Sequence, residues 1–271
     1  MGHAVDTVAA FSTGAGAQAF PTALAPFPGD SLGVRAFPQN SRAWIHAILY
    51  GSNAAAQKLR VVSPLLHDNV TGLTFIPPEN PAAFLLPTEA GIELSPVDVI
   101  SFQGSAAAAT TITGGLVNYY ENVRGADAHL VHWRDIRENI RYYKSVEISN
   151  GAIAVGAWTD TLITTTENQL HSDRDYAVLG YQVSAACDIV GVKGAFTGNF
   201  RNCGPGQAAT LDVTEYYINM SEQWGKPYIP VFNANDRFAI SVSQANHVAI
   251  GGGAAEVILI VAELRQRITQ G

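Results

Sequence analysis

The sequence has few charged residues and few cysteines. Charged side chains make up only 14% of its 271 residues, against roughly 25% in an average soluble protein. A surface this poor in charge is typical of a molecule that hides part of it against neighbours. The two cysteines, Cys187 and Cys203, are too few for a disulfide framework and lack a short metal-ligand spacing. Both are predicted to be buried free thiols.

Basic runs and long apolar runs are also missing. The formal net charge is -7, and no lysine- or arginine-rich stretch resembles a nucleic-acid-binding arm. This argues against genome wrapping and sequence-specific nucleic-acid recognition. No stretch reaches the roughly 18 to 20 apolar residues of a membrane-spanning helix. The opening residues lack the basic region and apolar block of a secretion signal, so we expect synthesis in the cytoplasm.

Motifs of catalysis and metal binding are scarce. The seven histidines include no His-x-His pair, which a two-domain cupin enzyme would need for its metal. His129 and His132 have a spacing that can ligate a metal, but histidines in a connecting segment are more often hydrogen-bonded locally. Gly-x-Ser-x-Gly is absent, and the turns at 204–206 and 251–253 lack the ending of a phosphate loop. We expect no enzymatic activity, no metal and no cofactor.

Short apolar runs bounded by turn-forming residues dominate the chain. Runs of four to eight residues favour strands over helices. They form two blocks, one ending near residue 122 and the other following residue 150. The predicted strands are 43–50, 59–62, 72–76, 98–102, 115–120, 152–155, 176–179, 189–192, 216–220, 238–242 and 257–261.

Residues 1–30 are predicted to form an extended N-terminal arm. They are rich in Ala, Gly, Thr and Pro and show no sustained helical or strand period. Such a segment has little to fold around within its own chain, so we expect it to dock on neighbouring molecules. Deletion of residues 2–28 is then expected to leave the β core folded and to weaken assembly.

A short helix is predicted over residues 135–144. Asp135 occupies an N-cap position, Glu138 follows three residues later, and apolar residues recur on one helical face. The basic residues of this segment would cover one side of the helix and contact an acidic neighbour, an acidic lipid surface or nucleic acid. The simpler interpretation is a solvated helix face paired with Asp135 and Glu138. These basic residues are Arg134, Arg137, Arg141 and Lys144.

The two halves of the chain resemble each other. Asp98 and Asp236 each begin the same order of strand, small-residue stretch and strand, at an offset of 138 residues. In addition, residues 60–64 align with residues 201–205 at an offset of 141 residues. Similar offsets indicate duplication of one β domain, and the alternative is one large sandwich. Duplication would make strand 99–102 equivalent to 238–242, and 116–120 equivalent to 257–261, the latter two near sheet centres.

The sequence therefore predicts an all-β fold of two tandem jelly rolls, each an eight-stranded β-sandwich, with a short connecting helix. The predicted boundaries are an arm at 1–30, a first jelly roll at 31–122, a connector with the helix at 123–150 and a second jelly roll at 151–271. With its low charge and irregular N-terminus, this architecture resembles the double jelly-roll major capsid proteins of tailless icosahedral phages and adenovirus-like viruses.

The resemblance implies a non-enzymatic capsid subunit of the virion, synthesised in the host cytoplasm. Its implied partners are further copies in a homotrimer whose six jelly rolls imitate a hexagon, other capsid proteins and an internal membrane surface. Two alternatives remain open, a carbohydrate-binding lectin or phage attachment protein and an atypical cupin enzyme. The lectin would stack sugars on one of four tryptophans, which are Trp44, Trp133, Trp158 and Trp224.

Overall fold

A computed structural model shows a mostly β protein whose strands form four antiparallel sheets. The all-β fold class predicted from the sequence is confirmed. The structure describes residues 2–13, 18–26, 30, 42–52, 57–65, 72–78, 82–86, 92–95, 100–106, 111–123, 130–150, 156–163, 170–183, 187–194, 200–206, 213–233, 238–244 and 255–268.

Ten strands of the described chain form the first two sheets. One sheet has the order β3-β1-β10-β4-β7, with β8 also paired to β4, and the other has the order β2-β9-β5-β6. The strands are β1 (Gly2–Thr13), β2 (Gln18–Ala23), β3 (Ala25–Pro26), β4 (Arg42–Ser52), β5 (Lys58–Val62), β6 (Leu73–Phe75), β7 (Ala82–Leu85), β8 (Ile92–Leu94), β9 (Ser101–Ala106) and β10 (Thr111–Val123).

The second half forms the other two sheets and contains both helices of the described chain. Its sheets have the orders β11-β17-β14-β19-β12 and β13-β18-β15-β16. The elements are β11 (Leu130–Val131), α1 (Trp133–Ile136), β12 (Ile140–Asn150), β13 (Ala157–Leu162), β14 (Asp175–Val183), β15 (Ile189–Gly194), β16 (Arg201–Pro205), α2 (Tyr216–Trp224), β17 (Ile229–Asn233), β18 (Phe238–Gln244) and β19 (Ala255–Leu264).

Both halves have the same strand topology. The eight main strands of the first half are β1, β2, β4, β5, β6, β7, β9 and β10, and those of the second half are β12 to β19. When each set is numbered in chain order, one sheet of each half reads 1-8-3-6 and the other reads 2-7-4-5. This arrangement of two Greek keys is a jelly roll. The prediction of two tandem jelly rolls is confirmed.

The repeat predicted from the sequence is correct for the last two strands of each half. It is wrong for the pairing of residues 60–64 with residues 201–205. Strands β9 and β18 are both seventh in their jelly rolls, and β10 and β19 are both eighth and lie between two neighbouring strands. Residues 60–64, however, begin in the fourth strand, β5, whereas residues 201–205 form the fifth, β16. A short apolar run followed by proline is too common a pattern to identify equivalent strands.

The predicted N-terminal arm is instead the first strand of the first jelly roll. Strand β1 pairs with β10 along its whole length and lies between β10 and β3. Residues 4–10 are all buried. Because both faces of this strand are covered, small Ala, Val and Thr side chains occupy it without the alternation that marks a half-exposed strand. The first jelly roll therefore begins near residue 2 and not at residue 31.

The prediction of a helix over residues 135–144 is also wrong for most of that range. Helix α1 spans Trp133–Ile136 with His132 at its N-cap, and β12 begins at Ile140. From residue 145, exposed and buried side chains alternate, with Val146 and Ile148 inside. This period of two is the strand period, and β12 places residues 140–150 of the predicted connector, 123–150, in the second jelly roll.

A second helix replaces the strand predicted at residues 216–220. Helix α2 buries one face at positions i, i+1, i+4, i+5 and i+8, a spacing that matches 3.6 residues per turn. These buried residues are Tyr216, Tyr217, Met220, Ser221 and Trp224. The strand predicted at 152–155 lies outside the described residues.

The sheet that contains β1, β4 and β10 is buried on both faces. One face contributes Ile45 and Ile48 of β4 to the interior of the first jelly roll. The other contributes Ala47 and Leu49 to a cluster formed mainly by the second jelly roll. The two jelly rolls therefore share a continuous apolar junction, which accounts for the unbroken apolar run in β4.

Candidate assembly surfaces

A β-bulge places His46 in the centre of the junction between the jelly rolls. Val117 of β10 pairs with Ala47 and Asn118 pairs with Ile45, so His46 has no residue opposite it. Such a bulge re-aims the side chain that it carries. The imidazole is fully buried and stacks on the indole of Trp224 with ring centroids 3.7 Å apart.

The surroundings of His46 hold its ring in the neutral form. Within the described part of the chain, neither ring nitrogen has a hydrogen-bond partner. Burial, and to a smaller extent the nearby ammonium group of Lys226, lower the pKa of His46 to about 3. The cost of charging an unpartnered ring in this apolar pocket explains the direction of the shift. His46 is therefore an uncharged stacking partner at neutral pH.

Helix α2 and the turn after it attach the second jelly roll to the first. The indole N–H of Trp224 donates to the carbonyl of Leu86 at 3.0 Å. Gly225 ends the helix in the left-handed conformation, with φ 58°, as glycine commonly does at this position. Beyond it, the carbonyl of Pro227 accepts a hydrogen bond from the Tyr119 hydroxyl at 3.2 Å. The glycine turn thus places two junction contacts within four residues.

Lys226 closes the rim of the same junction. Its ammonium lies 2.6 Å from a carboxylate oxygen of Glu121 in the first jelly roll. The same nitrogen lies 4.3 Å from the ring centroid of Trp44 and 5.1 Å from that of Tyr119. A partly desolvated cation above aromatic faces contributes on the order of 1 to 2 kcal/mol. Lys226 therefore binds the first jelly roll through both an ion pair and aromatic rings.

A second set of polar contacts joins β1 to the second jelly roll. The backbone N–H of Arg201 donates to Asp6 at 3.1 Å, and that of Cys203 donates to the Thr7 hydroxyl at 3.3 Å. Asp30 accepts hydrogen bonds from the Trp158 indole at 2.9 Å and from the backbone of β1. These contacts satisfy buried polar groups across the junction, so β1 contributes to both jelly rolls.

The basic residues singled out from the sequence lie on two elements and not on one helix. Arg134 is on α1, where it lies 3.6 Å from Asp135, and Arg137 follows α1 directly. Arg141 and Lys144 are on β12, and both pair with the buried Glu263 of β19, at 3.5 and 3.0 Å. The structure thus divides the four cations, with Arg134 and Arg137 at α1 and Arg141 and Lys144 on β12. Their contact with a partner stays a prediction.

Large apolar side chains are exposed at the open edges of the jelly rolls. Among the described strands, β6 and β7 end their sheets in the first jelly roll, and we call them, together with Ile76, the first edge. In the same part of the chain, β12 and β13 end the sheets of the second jelly roll, and we call them the second edge. Of the six large apolar side chains exposed in the described part of the chain, five lie here. They are Ile76, Phe84, Tyr142, Tyr143 and Leu162.

Sequence reasoning missed these edges, although one local signal pointed to the second. Tyr142 and Tyr143 form a doublet between Arg141 and Lys144, and tyrosine and arginine are enriched at protein interfaces. The helix predicted over residues 135–144 placed Tyr143 on its apolar face, which would be buried. In the strand, Tyr143 is 65% exposed.

The four tryptophans all fall among the described residues, and each is buried or half-buried. Trp224 and Trp158 donate to groups of the first jelly roll, and Trp44 lies beneath Lys226 and Arg42. These three tryptophans thus have partners within the chain, and sugar stacking stays a hypothesis.

Cys187 and Cys203 are buried free thiols, as predicted. Burial raises the pKa of the Cys203 thiol far above its ordinary range. Within the described ranges, no group of three or more His, Cys, Asp or Glu side chains is arranged to hold a metal ion; His129 lies outside them. None of the described helices is long and apolar enough to cross a membrane.

No protein-family model matches the chain, and no curated protein sequence matches it. Among solved structures, it is similar to the major capsid protein P2 of bacteriophage PM2, with 9% identity and a TM-score of 0.23. The match covers 98% of this chain and 99% of that one. A TM-score this low supports no conclusion about function.

Proposed function

We propose that this chain is a structural virion protein, a non-enzymatic capsid subunit that assembles with copies of itself. The observation that carries the proposal is the combination of two jelly rolls joined through a buried junction with exposed apolar side chains concentrated on their outer edge strands. Exposed apolar surface on open sheet edges is a site for association between chains. Its location, in this proposal, is the virion, after synthesis in the host cytoplasm.

The junction supports this proposal because it fixes the relative positions of the two jelly rolls. Trp224 and Lys226 bridge the two in one set of contacts, and Arg201 bridges them in a second set. A repeating shell needs subunits whose binding surfaces keep constant positions, since small angular errors prevent closure. Because the two jelly rolls are fixed relative to each other, their outer surfaces keep a constant distance and orientation.

Sedimentation of the purified protein tests the proposal. We expect a stable oligomer at micromolar concentration, with the mass of a trimer of 28.8 kDa chains. Low surface charge and exposed apolar edges favour this outcome because burying them removes apolar surface from water. A single monomeric species at micromolar concentration, with no larger particles, would contradict it.

A further inference from the structure

We propose that the junction between the two jelly rolls is an acid-sensitive contact, which opens at low pH while the sheets on either side of it stay folded. The inference concerns the single chain and does not depend on the proposed function. The observation that carries it is where the histidines lie. The described part of the chain contains four, of which His3, His46 and His132 lie in or beside the junction, whereas His171 is exposed.

The closed junction has no place for a proton on His46. The ring is fully buried and, among the described residues, neither of its nitrogens has a hydrogen-bond partner. The Lys226 ammonium lies 5.8 Å from the ring centroid of Trp224, on which His46 stacks. The ring of Tyr228 is also close, with centroids 4.8 Å apart, and burial keeps its hydroxyl neutral by raising its pKa. A proton on His46 would therefore meet a like charge in an apolar pocket.

His3 is the second histidine near Lys226. It pairs with Glu121 across β1 and β10, and its ring centroid lies 5.7 Å from that of Tyr119. Burial lowers the pKa of His3, and Glu121 opposes this shift. The positive charges of Lys226 and His132 add to it. Because Glu121 is already paired with Lys226 at 2.6 Å, it offsets only part of a further positive charge.

Further charged groups near these histidines lie in ion pairs. Arg42 donates two hydrogen bonds to Glu93, of 2.7 and 2.8 Å. Arg134 lies 3.6 Å from Asp135 beside His132. Burial lowers the pKa of His132, as does Arg134, whereas Asp135 raises it. Any proton taken up by His3 or His46 in the closed junction therefore adds to the positive charge around Lys226.

Opening the junction exposes these rings to water, where a histidine has a pKa near 6.5. The open state then takes up protons at a higher pH than the closed state, so acid favours opening below about pH 6.5. His46 alone raises the equilibrium constant for opening about tenfold per pH unit, or roughly a hundredfold between pH 7 and pH 4.5. His3 adds to this effect between about pH 6.5 and its own lowered pKa.

Acid titration of the purified full chain tests the switch. Tryptophan emission reports the junction, because Trp44, Trp158 and Trp224 contact groups across it, and far-ultraviolet circular dichroism reports the sheets. We expect a reversible red shift of the emission at a pH where the circular dichroism is unchanged. His46→Phe keeps a ring on Trp224 and should lower the midpoint pH, since the rise in the opening constant between pH 7 and pH 4.5 is roughly a hundredfold smaller.

Two further variants complete the experiment. His3→Gln, at a half-buried position, should also lower the midpoint pH, and it tests the switch even if His46→Phe does not fold at pH 7. His171→Gln, at an exposed position, controls for the replacement of a histidine. If emission and circular dichroism change together, the junction does not open by itself and the switch is wrong. Equal midpoints in the unmodified protein and the folded variants at positions 3 and 46 would also overturn it. The proposed function is tested separately, by sedimentation at neutral pH.

Discussion

Deletion of residues 2–28 is expected to abolish folding, because it removes strand β1 from the middle of a sheet. The deletion breaks the pairing of β1 with β10 and removes Val5 from one apolar core and Val8 from the other. It also removes the acceptors that Asp6 and Thr7 provide for backbone N–H groups of β16. Each buried donor left without a partner costs on the order of 1 to 3 kcal/mol. Such losses approach the whole stability of an ordinary domain.

Point variants distinguish loss of this strand from other effects of truncation. Val8→Asp places a charge at a fully buried position of β1 and should prevent folding like the deletion. Ala23→Asp introduces the same carboxylate at an exposed position and should leave folding intact. Circular dichroism and size-exclusion chromatography measure both. A truncated chain that remains soluble and unfolds cooperatively would show that residues 2–13 are a dispensable arm after all.

Acidification is expected to destabilise the junction through His46. The unfolded histidine has a pKa near 6.5, whereas the folded one has a pKa of about 3. As the pH falls below about 6.5, the unfolded state takes up the proton first. The free energy of unfolding is therefore unaffected by His46 above that pH, and falls by about 1.4 kcal/mol per pH unit below it. The total loss by pH 3 is roughly 4 to 5 kcal/mol.

The variant His46→Phe isolates this contribution, because phenylalanine can keep the stack on Trp224 but cannot take up a proton. Urea unfolding at pH 7, 6, 5 and 4, at one protein concentration, should show a shallower pH dependence for the variant by about 1.4 kcal/mol per unit. His171→Gln, at an exposed position, serves as the control for the replacement of a histidine. Equal slopes for His46→Phe and the unmodified protein would show that His46 does not titrate this way.

The strands that sequence patterns predicted best are those buried on both faces in the centre of a sheet. β10 and β19 appear as continuous apolar or aromatic runs, and their equivalence in the two halves follows from that pattern. β1 is equally buried, but its small side chains resemble a linker. The residues at 135–144 satisfy a helical spacing and a strand spacing at once, and pairing with β19 decides in favour of the strand.

The assembly surfaces were less predictable, because they depend on which strands end each sheet. The sequence identified Arg134, Arg137, Arg141 and Lys144 but gave no means of placing Arg141 and Lys144 on the last described strand of a sheet, next to exposed tyrosines. His46 is a similar case. Its burial arises from a bulge in the pairing of β4 with β10, and a bulge is a property of two strands, so neither strand alone reveals it.

Electron microscopy of the purified protein in solution tests self-assembly of the paired jelly rolls most directly. The expected particles contain three chains, each contributing two lobes of similar size, so that six lobes surround a common axis. Isolated two-lobed particles at micromolar concentration, with no larger assemblies, would contradict self-assembly.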